Sequence, residues 1–190
     1  MLRIVLAASV VLLGAGAAQA QSLGTCAWSR LPAADQQVIL AAYAGGGASG
    51  AARALQGADA VLRAAIPGCA ERADLPKLWV QASIASHVFQ LGASESLRQG
   101  KGLDRSRLDE AWNNASTAAR DCTLHNAQKV FGMDNFKCGD RRAPQAFLIE
   151  LELSPSAPAD RNSAEQVLIY MNAKAQELLA QSLIARMPAL

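Results

Sequence analysis

The sequence predicts an all-α protein: a single compact bundle of five or six helices, stapled by two disulfides and preceded by a cleaved signal peptide. Three observations carry that expectation. Apolar residues recur at helical spacing through each long segment after residue 30. Alanine fills 40 of 190 positions while aromatics reach only 5%, and small inward side chains let helix axes approach closely. Four cysteines, Cys26, Cys69, Cys122 and Cys138, all lie beyond the N-terminal apolar run.

The chain opens with Met1-Leu2-Arg3, an apolar run from Ile4 to Leu13, and small residues that include Ala18 and Ala20. One positive charge, a short apolar core and small residues at the exit form a secretory leader. A spanning helix would need about 20 apolar residues. The expected division is therefore a signal peptide over 1–20 and a disulfide-containing helical domain over 21–190. Periplasmic or secreted localisation follows from it, with Gln21 as the first mature residue.

The first helix is expected over Pro32 to Ala44, ended by Gly45-Gly46-Gly47. Ser49 caps a second that runs to Ile66, where Pro67-Gly68 stops it. Consecutive helices joined by a short turn lie antiparallel, which brings Cys26 near Cys69. A third helix opens at Asp74 with Pro76 just inside and reaches Leu91 or Leu97. It is apolar around much of its circumference, as central helices are. Asp104 caps a fourth, whose stripe of Leu108, Ala111, Trp112, Ala115, Ala119 and Cys122 extends to Cys122 or on to Val130. The stretch 124–140 is irregular and could return Cys138 to Cys122. Over 144–153, Phe147, Ile149, Leu151 and Leu153 alternate with Glu150 and Glu152 as in a strand. A lone strand has no hydrogen-bonding neighbour, so a short helix is expected. The last helix starts at Ser163, with a capping box completed by Gln166, and runs to Arg186.

Composition excludes several functions. With 51% hydrophobic and 18% charged residues the chain is too apolar for a disordered protein. Its net charge of +2 gives no bulk attraction for nucleic acid, nor for a membrane surface once the leader is gone. The shortest cysteine gap is 16 positions, so disulfides are expected, as Cys26–Cys69 and Cys122–Cys138, rather than a zinc site. Gly45-Gly46-Gly47-Ala48-Ser49-Gly50 spells G-x-G-x-x-G, but no strand feeds it, and a helix-hairpin turn is the expected reading. No cofactor and no metal are expected.

His87 shares a helical face with Val80, Ile84 and Leu91 and reads as a buried, hydrogen-bonded histidine. The best acid–base or metal candidates are His125 and Asp121, one helical turn apart, which lack a third ligand at recognisable spacing. Asp109, Glu110, Glu150 and Glu152 read as solvated. Arg141-Arg142 forms a small basic knob, and Asn114-Ala115-Ser116 spells a glycosylation sequon. The leading expectation is an exported, non-catalytic module that binds a protein partner or a small apolar ligand, an inhibitor or immunity-type protein being a special case. The alternative is a small exported hydrolase whose site assembles around His125 and Asp121. An apolar groove would favour the first; a cleft gathering His125, Asp121 and another carboxylate would favour the second.

Overall fold

In a computed structural model, two helices of 25 residues pack along each other most extensively: α4 (Lys77–Lys101) and α8 (Arg161–Ala185). The residues described are 22–69, 74–133, 138, 140 and 142–187, so the expected leader, Gln21 and Arg141 of the basic knob lie outside them. Around the central pair stand α1 (Leu23–Ser29), α2 (Ala33–Gly57), α3 (Asp59–Ala65), α5 (Arg105–Asn114), α6 (Thr117–Gln128) and α7 (Ala146–Glu150). The described residues include no strand element. Among the described residues the fold is all-α, but with eight helices in place of five or six.

The difference has local causes. Helix α1 is two turns long, too short to show a period. Ser22 caps it, accepting a hydrogen bond from the Thr25 amide at 3.1 Å. The expected fourth helix is two: Ala115 is extended (φ −59°, ψ 151°) and Ser116 caps α6 through the Ala119 amide. The apolar stripe continues across the break, because Ala115, Ala119 and Cys122 all stay buried. The expected second helix likewise divides at Ala58, where α3 begins.

The glycine segment does reverse the chain. Helix α2 is continuous only in its hydrogen-bonding pattern. Gly46 and Gly47 leave helical geometry, and Gly47 takes φ 58°, a conformation open mainly to glycine. A Cβ on Gly50 would stand 2.2 Å from the Ala42 carbonyl oxygen. Eight residues of straight helix span about 12 Å, so the second half of α2 folds back onto the first. The chain then returns toward α1, and a disulfide joins Cys26 to Cys69 with Cα atoms 5.5 Å apart. The Arg30 guanidinium ties the same corner, donating to the carbonyls of Pro67 (2.7 Å) and Gly68 (3.1 Å). A second bridge joins Cys122 of α6 to Cys138, Cα atoms 4.9 Å apart.

Segment 143–150 is helical. A 3-10 turn over Ala143–Gln145 leads into α7. Phe147 and Leu148 are buried side by side while Ile149 is 75% exposed, which a period of two does not permit. Phe147 stacks on Trp112, ring centroids 5.5 Å apart and planes within 3°. The start of α8 corrects another expectation. Asp160, not Ser163, is its N-cap, without a side-chain cap hydrogen bond. The Asp160 carboxylate instead accepts from Lys101 Nζ (2.7 Å) and the Ser154 amide (3.1 Å), clasping α4 to the loop before α8. Ser163 is buried, and Gln166 accepts a hydrogen bond from the Tyr43 hydroxyl at 2.7 Å. That phenol is pushed up to about 12, first by burial and then by the nearby Glu165 carboxylate.

A candidate ligand groove

Where the folded-back half of α2 and the short α3 face the first half of α4, they leave a groove of about 960 Å³. Its floor is apolar: Leu55 from α2, Leu62 from α3, and Val80 and Ile84 from α4, with Ile66 and Leu75 also in the lining. The first four are buried core residues, so the groove is floored by the rigid interior. Alanines widen it. Ala52 and Ala85 present only methyl groups where larger side chains would close the gap.

Polar residues stand among the lining: Gln56, Asp59, Arg63, Lys77 and Gln81. Asp59 and Arg63 pair with each other at 2.9 Å across one turn of α3. Pro67 and Gly68, whose carbonyls Arg30 holds, also line the groove. The Cys26–Cys69 bridge therefore braces one wall. A volume near 1,000 Å³ lies at the upper end for small-molecule sites, which are mostly apolar with a few polar groups.

A second concentration of polar side chains lies between α1, α4 and α8. Ser22 donates to Glu177 Oε1, and Gln90 Nε2 donates to Glu177 Oε2 at 2.6 Å. The Ser22 hydroxyl also meets Thr25 Oγ1 at 2.8 Å, which in turn meets His87 Nδ1 at 3.1 Å. Two hydroxyls thus link a buried carboxylate to a buried imidazole. His87 is only 3% exposed and Gln90 1%, so this seam is interior, and its hydrogen bonds fasten α1 to the central pair. Gln90 Oε1 has no partner among the described residues.

Burial pushes the His87 imidazole below its ordinary value of 6.5; the attraction of Glu177 opposes that shift and Arg105 adds to it. The native state therefore keeps His87 neutral at a pH where the unfolded chain has begun to bind a proton. Stability is fully present above about pH 6.5 and falls as the pH drops through the depressed folded value. Urea unfolding at pH 7.5 and 5.5 is expected to show a lower midpoint at the acid end. His87→Asn, which keeps a polar atom near the Nδ1 position, is expected to flatten that difference. An equal difference in the variant would assign the proton uptake elsewhere.

The sequence candidates for chemistry lie away from the groove. Asp121 and His125 are one turn apart on α6, Asp121 exposed and His125 partly so. No three His, Cys, Asp or Glu among the described residues are grouped so that they could hold a metal ion. Asp109 is not merely solvated: it accepts from the Tyr170 hydroxyl at 2.7 Å and pairs with Lys174. Ser116 of the sequon caps a helix. Sequence reading missed the groove, because its floor residues follow the same apolar pattern as any core. It also missed Glu177, an acid lying between Gln176 and Leu178 in the middle of α8.

No family model, curated protein or solved structure shows significant similarity to the chain. No helix among the described residues is long and apolar enough to cross a membrane.

Proposed function

We propose that the protein is an exported, non-catalytic binding module that holds a small apolar ligand in the groove between α2, α3 and α4. The observation that carries this reading is the groove itself: a concave, apolar space of about 960 Å³. Two disulfides support the exported setting, since such bridges persist in oxidising compartments. The concavity favours a small molecule over a protein surface, because protein interfaces are broad patches of roughly 800 Å² per partner. The hydrolase reading centred on His125 and Asp121 has less behind it. The two share a face of α6, and no further acid gathers beside them into a metal-holding group among the described residues.

Binding of N-phenyl-1-naphthylamine, a neutral apolar dye that brightens when water is excluded, tests the reading. The disulfide-bonded protein is expected to bind it saturably. Ala85→Trp, which places an indole in the groove from a partly exposed position, is expected to cut affinity at least about tenfold, a loss of about 1.4 kcal/mol. Its helical circular dichroism should be unchanged. A folded Ala85→Trp protein that binds the dye as tightly as the parent would contradict the assignment. So would enhancement that never saturates.

A further inference from the structure

The charges around the groove say what kind of apolar molecule suits it. Among the described residues three charged side chains line it: Asp59, Arg63 and Lys77. Asp59 and Arg63 pair at 2.9 Å and offset each other's charge, the Arg63 side chain being 63% exposed. Lys77, the first residue of α4, is exposed. The described lining therefore carries a net single positive charge, that of Lys77, with the amides of Gln56 and Gln81 as further hydrogen-bond donors. An apolar recess lined also by an exposed lysine complements a molecule that has one hydrocarbon tail and an anionic end.

We propose that the groove binds a monomeric single-chain amphiphile with an anionic head group. The tail lies on Leu55, Leu62, Val80 and Ile84, and the head group meets Lys77. This deepens the binding-module reading and rests on it. Each exposed ion pair is worth up to about fivefold in affinity, so the expected preference is modest and sensitive to salt. A cationic head group would meet repulsion from Lys77 and find Asp59 already paired with Arg63.

Displacement of N-phenyl-1-naphthylamine by three ten-carbon ligands, each kept below its micelle-forming concentration, tests the inference. Sodium decanoate is expected to compete about fivefold more strongly than 1-decanol, and decyltrimethylammonium more weakly than either. Lys77→Glu should reverse the order of the two ions and leave decanol unchanged. A glutamate in the first turn suits the positive end of α4, so that variant is expected to stay folded, checked by circular dichroism. If all three ligands compete equally, the anionic head group is wrong while the groove stands. If the dye binds but Ala85→Trp does not weaken it, the groove itself is wrong. Sedimentation with vesicles of anionic phospholipid supplies the remaining arm. Protein left in the supernatant agrees with a monomeric ligand, and pelleting that Lys77→Glu abolishes would assign the charge to a membrane surface instead.

Discussion

Replacing Cys26 and Cys69 together by serine is expected to lower stability by about 4 kcal/mol and to weaken dye binding in the same protein. The stability loss follows from loop length. The bridge closes 43 residues, and releasing such a loop restores about 4 kcal/mol of unfolded-state entropy in the chain-entropy model. That is a large share of the roughly 5–15 kcal/mol that holds a typical domain folded. The binding loss follows from position, because Pro67 and Gly68, next to Cys69, line the groove. Removing Cys122 and Cys138 provides the contrast. That bridge starts from α6 and closes 16 residues, so about 3 kcal/mol should be lost. The dye affinity of the molecules that remain folded should hold. Chemical denaturation gives the first quantity, and titration well below the unfolding midpoint gives the second. Equal effects of the two double variants on affinity would mean that the Cys26–Cys69 corner does not shape the site.

Phe147→Ala is the other substitution with a large expected effect, about 3–5 kcal/mol. Phe147 is fully buried and lies flat on the Trp112 indole, so its loss empties a ring-sized space and removes the stack. Helix α7 has only five residues, too few to persist without tertiary packing. A lower urea midpoint at unchanged slope, with loss of the near-ultraviolet signal of Trp112, is the expected result. A loss below about 1 kcal/mol, the scale of a surface change, would mean that α7 is held by something other than this ring.

These positions also mark how far the fold is legible in sequence. The central helix is: residues from Val80 to Leu97 are apolar or small around most of a turn, and eleven α4 residues are buried. The hairpin is too, since three successive glycines can only interrupt a helix. The burial of His87 follows from the face it shares with Val80 and Ile84. The break between α5 and α6 is hidden, because Ala115 and Ala119 keep the stripe in register while one extended residue and the Ser116 cap divide the helix. Helix α1 is hidden by its length. Asp121 and His125 are recognisable as a pair one turn apart, but helical spacing cannot say what other elements bring beside them. The groove is legible only after folding. Its walls come from residues 52 to 85, and a residue that floors a cleft has the same apolar signature as one sealed in a core. What opens it is the smallness of Ala52 and Ala85, a signal lost among 40 alanines.

The most direct test of the groove's role is a nuclear magnetic resonance titration of the disulfide-bonded protein with 1-decanol, followed through backbone amide shifts. Decanol carries no charge, so the outcome is independent of the head-group preference. A groove that binds apolar molecules gives saturable shifts concentrated at residues 52–68 and 75–85, and little change around Asp121 and His125 on α6. Shifts absent, unsaturable, or centred on another face would contradict it.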